Sequence, residues 1–171
     1  MRGNSVRQSG FTLIELMITT AIAAVMLGFA VPSFNSIIQG GTLTVGTNEL
    51  ISSMHLARSE AIKRASRTVM CKSSDADTCG GAGWGDGWIV FNDNNQNAAR
   101  DAGEDLIKVH ESLKYGFTVG ADPVFSNYVS FNEMGSSTTV SNVFASGTVT
   151  LSYGANNKVI SIMSNGRIKV Q

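Results

Sequence analysis

The sequence is poor in charge and in the residues that most often carry chemistry. Only 15% of its 171 residues are charged, and thirteen bases balance thirteen acids to a formal net charge of zero. Bulk composition therefore announces neither a nucleic acid nor an acidic partner. There are two cysteines and two histidines. Cys71 and Cys79 would need further ligands to make a zinc site, and His55 and His110 are not spaced to supply them. No arrangement of nucleophile and base points to either histidine, so no enzyme and no cofactor are expected. No repeat or low-complexity linker divides the chain. Acids are also missing from one whole region: residues 134–171 contain none.

What charge there is lies sorted along the chain. Residues 1–67 carry Arg2, Arg7, Arg58, Lys63, Arg64 and Arg67 against Glu15, Glu49 and Glu60, a balance of +3. Residues 68–133 hold four bases and ten acids, −6, and the last 38 residues hold Lys158, Arg167 and Lys169, +3. This is either local scatter on a solvated surface or a basic C-terminal face on a neutral protein. Mean hydropathy, at +0.07, hides a second asymmetry. The apolar weight sits near the N-terminus, while Gly, Ser, Thr and Asn dominate the rest.

Residues 1–10, MRGNSVRQSG, are polar and basic and end in glycine. Residues 11–30, FTLIELMITTAIAAVMLGFA, hold a single charge, Glu15. Twenty helical residues span roughly 30 Å, the hydrocarbon thickness of a bilayer. Arg2 and Arg7 precede the span, which keeps a short leader cytoplasmic and exports the remainder. A secretory signal has a similar start, but this run is long for one, carries a carboxylate and lacks a clean A-x-A site. A plain single-pass anchor leaves Glu15 unexplained, because a carboxylate in a membrane helix costs about 2.5–3.5 kcal/mol and generally has a partner and a function. An amine released by cleavage between Gly10 and Phe11 would supply that partner, on the same helix or in a neighbouring subunit offset by about a turn.

The segment Gly10-Phe11-Thr12-Leu13-Ile14-Glu15 resembles the class III signal of type IV prepilins and type II secretion pseudopilins. The resemblance implies a prepilin peptidase that cuts after Gly10, methylation of the new N-terminal Phe11, and an assembly role for Glu15.

Beyond the span, Pro32 removes a helical hydrogen bond and Gly40-Gly41 is a second weak point, so the expectation is one long, interrupted helix over about 12–65. Leu43, Leu50, Met54, Ala57 and Ala61 fall on one face of its second half. After Arg67 the period changes to two. Residues 68–71, 88–91, 106–110, 115–120, 128–131, 148–153, 158–163 and 167–170 read as short strands between Gly, Asn, Asp and Ser clusters. The expected fold class is α+β: a long N-terminal pilin helix, transmembrane then amphipathic, packed on an antiparallel β-sheet head. The expected division is a leader at 1–10, a transmembrane and assembly helix at 11–38, and a head at 39–171. Cys71 and Cys79, close together downstream of an export signal, read as a disulfide, with two free thiols as the alternative.

The run Leu56-Ala57-Arg58-Ser59-Glu60-Ala61-Ile62-Lys63-Arg64, the Gly- and Trp-rich stretch before WIVFND, and the closing Asn165-Gly166-Arg167-Ile168-Lys169-Val170 resemble the GspH/FimT family. Trp84 and Trp88, the Asp93–Glu104 loop and the two cysteines are more like FimT/FimU-type minor pilins. The resemblance implies a minor pilin at or near the tip of a type IV pilus, with a type II secretion pseudopilin as the alternative. Implied partners are other pilin subunits, the prepilin peptidase and the inner membrane before assembly, with display at the cell surface afterwards. In FimT-type pilins a Gly-Arg-x-Arg tail is associated with DNA binding during transformation. Gly166 and Arg167 match it, and Lys169 keeps the second charge without the bidentate fork. Lys158, Arg167 and Lys169 are thus the candidate contacts to DNA, read without sequence preference. A basic edge strand guarded against aggregation is the other reading of the same residues.

Two further patterns carry less. The loop from Asp93 to Glu104 spaces oxygen ligands like a calcium loop, but position 6 is Ala98 where the sharp turn calls for glycine, and strands flank it. A polar hairpin loop accounts for it. Trp84 and Trp88 suit packing over a glycine-rich turn better than a binding platform.

Overall fold

The computed structural model describes residues 10–81, 83–113 and 116–171, and the side chains of residues 29–33 are outside that description. The expected leader, except Gly10, and Tyr115 at the start of the expected fourth strand lie outside the described residues. The chain forms two compact units that divide between Ile38 and Gln39.

Helix α1 runs from Leu13 to Arg64. Its start is encoded locally. The Glu15 amide donates to the Thr12 hydroxyl at 3.3 Å, and Glu15 occupies the first turn, where the helix dipole favours an acid. Its end is encoded as well: Ala65 takes a left-handed φ of 49°, its amide returns to the Ile62 carbonyl and that of Ser66 to the Ala61 carbonyl. These are the paired bonds of a Schellman cap, with alanine in the usual glycine position. The expected interruption is absent, for α1 is continuous through residue 32 and Gly40-Gly41. A helical glycine costs only about 1 kcal/mol relative to alanine, and a proline removes one bond, so neither need end a helix this long. Among the described residues no helix is long and apolar enough to cross a membrane.

In the second unit, the apolar stripe of α1 is the floor of the core. Leu43, Leu50, Met54, Ala57 and Ala61 are all 2% exposed or less. Against it lie strands β1 (Thr68–Lys72), β2 (Trp88–Asn92), β3 (Leu106–His110), β4 (Phe117–Ala121), β5 (Tyr128–Phe131), β6 (Gly147–Tyr153), β7 (Asn156–Ile162) and β8 (Ile168–Val170). They form two four-stranded antiparallel sheets, ordered β3-β2-β1-β5 and β4-β6-β7-β8. The single sheet expected from the strand count is therefore divided. After β5 the chain makes only the isolated bridges Phe131–Ser137 and Thr138–Phe144, so no strand of the second sheet ladders onto that edge.

The two sheets bury their faces differently. In the first, Met70, Trp88, Val90, Val129 and Phe131 face the core, while Val69, Cys71, Ile89 and Phe91 form a second buried cluster on the opposite face. That outer cluster is covered by Cys79, Ala98 and Tyr128. The loops that carry Cys79 and Ala98 are joined where Arg100 donates to the backbone and side chain of Asp77. In the second sheet Val149, Leu151, Ile160 and Ile162 face the core, and the alternating positions Thr148, Thr150, Val159 and Ser161 do not.

Candidate functional site

The C-terminal turn is held by residues from two distant parts of the chain. Gly166 is buried with φ +76°, and a Cβ there would stand 1.8 Å from the Gly135 carbonyl oxygen. Any side chain would therefore force the two turns apart, in a backbone region that L-residues avoid. Arg58 on α1 bridges the same two turns, its Nε donating to Gly135 O at 2.9 Å and Nη2 to Asn165 O at 3.3 Å. The Ser137 amide adds a bond to Ser164 O at 3.0 Å. The conspicuous arginine of the 56–64 run and the glycine of the closing motif are thus parts of one clamp. Periodicity alone placed Arg58 merely off the apolar stripe.

Beyond the clamp, Arg167 and Lys169 are exposed. Lys169 pairs with Ser161 across the β7–β8 ladder, whereas Ile168 and Val170 pair with the core residues Ile162 and Ile160. Paired residues share a face, so Lys169 stands on the outer face, and Arg167, two residues earlier, is on the same side. Lys158 is not with them. It alternates with Ile160 and Ile162 toward the helix, pairs with the buried Leu151, and donates to Thr44 Oγ1 at 3.0 Å. Of the expected trio of cations, Arg167 and Lys169 share one face and Lys158 lies on the other. Two-residue alternation within each strand was readable, but which parity faces the core follows from packing.

At the other end, Gly10 and Phe11 are exposed, Phe11 by 86%. Besides its amide bond to Thr12, Glu15 lies 3.5 Å from the Thr12 hydroxyl. The Thr-x-x-Glu start immediately after Phe11 is a helix-cap signal carried by adjacent residues of the sequence. Cys71 and Cys79 are bonded, with Cα atoms 5.6 Å apart, and the bridge ties one covering loop to β1.

The remaining candidates resolve into structure. Both carboxylates at the ends of the calcium-like loop face backbone amides: Asp93 accepts from Asn97 and Ala98 at 3.1 Å each, and Glu104 accepts from Asn94 at 2.9 Å and Asp101 at 3.1 Å. Burial pushes the Asp93 carboxyl above the usual carboxylate range despite those amides. Ala98 adopts φ 57° where a calcium loop uses glycine. Among the described residues no His, Cys, Asp or Glu cluster could hold a metal ion. Trp84 is buried and donates from Nε1 to Phe125 O at 3.0 Å. Trp88 is buried and stacks on His110 at 3.9 Å, and His110 Nε2 lies 3.5 Å from a Glu49 carboxylate oxygen. His55 is exposed on the helix.

A long N-terminal helix whose second half packs on antiparallel sheets, begun by a Gly-Phe-x-x-x-Glu segment, defines a pilin-type subunit. The comparisons agree. Residues 46–166 match the family model described as Type II transport protein GspH, and residues 6–31 match the prokaryotic N-terminal methylation motif. The chain belongs to the GspH family. A fimbrial protein of Dichelobacter nodosus is 29% identical over 121 residues, covering 68% of this chain and 72% of that protein. A type IV major fimbrial protein FimA of the same organism is 35% identical over 74 residues, 43% of each chain. The crystal structure of the type IV minor pilin FimU of Pseudomonas aeruginosa superposes with a TM-score of 0.57 at 18% identity, covering 78% of this chain and 90% of that one. At that identity the likeness speaks for the fold.

Proposed function

We propose that the chain is a minor subunit of a type IV pilus, made as a prepilin, cut after Gly10, methylated on Phe11 and held in the inner membrane by residues 11–38 until it enters the filament. The observation that carries this reading is the Gly10-Phe11-x-x-x-Glu15 segment placed directly at the first turn of α1. Cleavage there puts a new amine within about one helical turn of Glu15, where it compensates the carboxylate's charge on the same helix or from a neighbouring subunit offset by about a turn. The fimbrial relatives favour a pilus over a secretion pseudopilus. Intact-mass measurement of pilus-enriched protein is the test: the expected species begins at N-methylated Phe11, and any other N-terminus overturns the reading. Glu15→Ala is expected to leave membrane insertion intact and to impair incorporation into filaments.

Arg167 and Lys169 favour a second role, weak and non-specific DNA binding at the cell surface. Both are exposed on one face, and the strands of the second sheet contain no acid to oppose them. With Lys158 turned inward, two phosphate contacts remain, and the slope of log affinity against log salt is expected near −2. Arg167→Gln with Lys169→Gln is expected to abolish the mobility shift of duplex DNA at low salt. Equal binding by the double variant leaves a structural pilin with a guarded edge strand.

A further inference from the structure

A polar cleft of about 440 Å³ opens where the α1–β1 link, the Asp93 loop and the segment after β5 converge. Three side-chain amides in its lining have NH2 groups left free for a ligand. Asn94 accepts from Asn92 through Oδ1, Gln96 accepts from Asn142 through Oε1, and Asn132 accepts from the Met134 and Ser136 amides through Oδ1. In each case the oxygen is used, and the NH2 group has no partner among the described residues. Glu133 adds an exposed carboxylate, and Phe144, 62% exposed, adds an aromatic ring.

Arg67 also lines the cleft and is only 4% exposed. Its terminal nitrogens are spent on neutral oxygens: Thr139 O at 2.8 Å, Asn142 Oδ1 at 2.5 Å, Gln96 O at 3.3 Å and Val140 O at 3.5 Å. Its Nε is buried with no hydrogen-bond partner among the described residues. A buried donor without an acceptor is costly, so the floor of the cleft carries a polar demand that its own residues do not meet.

The arrangement restricts what that ligand can be. A phosphate backbone is opposed by Asp93 and Glu133, which outnumber Arg67. A simple apolar ligand would leave three amide groups and the Arg67 Nε unpaired. Planar amide donors beside a carboxylate acceptor match adjacent hydroxyl groups, each of which both donates and accepts. An exposed aromatic ring offers the apolar surface on which the C–H face of a sugar can stack. We infer that this cleft is a binding site for a neutral saccharide, with Asn94, Gln96 and Asn132 donating to its hydroxyls, Glu133 accepting from them and Phe144 stacking on the ring.

The test uses the full chain in a zwitterionic, sugar-free detergent and saturation-transfer NMR with chitobiose, maltose and a short DNA duplex as probes. A neutral saccharide is expected to receive saturation with a dissociation constant on the order of millimolar, as befits an open cleft with few contacts. Phe144→Ala, an exposed position, is expected to weaken binding roughly three- to tenfold. Asn132→Asp keeps the oxygen that caps its turn and removes the NH2 donors, so it is expected to weaken binding without lowering the melting temperature. Arg167→Gln with Lys169→Gln is expected to leave it unchanged. The inference is overturned if neither saccharide receives saturation at 10-fold the expected constant, about 10 mM, or if Phe144→Ala and Asn132→Asp both bind as the wild type does. It is equally overturned if only the duplex is bound and those two variants abolish that binding.

Discussion

The two sheets of the head contrast in how they are buried. Every residue of β2 is buried, as are four of the five in β1, because one face meets α1 and the other lies beneath two covering loops. In β6 and β7 burial alternates or thins toward the strand ends, leaving an outer face of threonine, serine and asparagine around Val159. The sequence shows the same contrast as TVMC and WIVF against TVTLSY and KVISIM, continuous apolar runs against alternation. The lesson is that a half-exposed sheet needs only its own strands, whereas a sheet buried on both sides depends on whatever covers it. Here the cover consists of polar loops held by a disulfide, by carboxylates that cap backbone amides, and by the Arg100–Asp77 contact.

This comparison can be broken most directly by mutation at equivalent outward positions. Phe91→Ala, fully buried under the loops, is expected to cost about 3–5 kcal/mol, while Thr150→Ala on the outer face of the second sheet is expected to change stability by about 0.5 kcal/mol or less. Denaturant unfolding of the head unit, residues 39–171, measures both, and similar losses would remove the distinction. Next in size, replacing Cys71 and Cys79 by serine is expected to cost about 2–3 kcal/mol through the eight-residue separation they close. Exposure of the second cluster should accompany it, seen as faster proteolysis between 73 and 80.

The smallest expected effect is acid dependence. Asp75 is held well below the usual carboxylate range, first by the Thr78 hydroxyl and then by the Thr78 and Asp77 amides and the Ser73 hydroxyl. A lowered folded-state pKa gives stability that is present above the unfolded value near 3.8 and is lost as pH falls through the folded one. Asp93, raised by burial, has the opposite sign: its carboxyl favours the fold when protonated and that contribution fades as pH rises through its folded pKa. Asp75→Asn is expected to flatten the loss of stability below about pH 4, and Asp93→Asn to leave that limb steep. Melting temperatures recorded from pH 2 to 7 would separate the two.

Much of the head was legible in the sequence because its local signals agree. Strand β3 at 106–110 and β5 at 128–131 have the bounds the alternation implied, and the stripe from Leu43 to Ala61 is buried at every named position. The end of α1 was legible too: the helix stops at Arg64 where about 65 was expected, although alanine rather than glycine takes the left-handed cap at Ala65. Gly40-Gly41 does not interrupt α1, because glycine weakens a helix without forbidding it.

What the sequence by itself determined is the N-terminal Gly-Phe-x-x-x-Glu segment, the helical stripe and the strand periods, all set by short-range spacing. What only the tertiary structure decided is which groups meet. Arg58 reaches Gly135 and Asn165, 77 and 107 residues away, and Arg67 reaches Thr139 and Asn142, 72 and 75 residues away. The division into two sheets and the inward turn of Lys158 are of the same kind. A strand's period is written in neighbouring residues, but the face it buries and the partners it gains depend on how the whole core closes over α1.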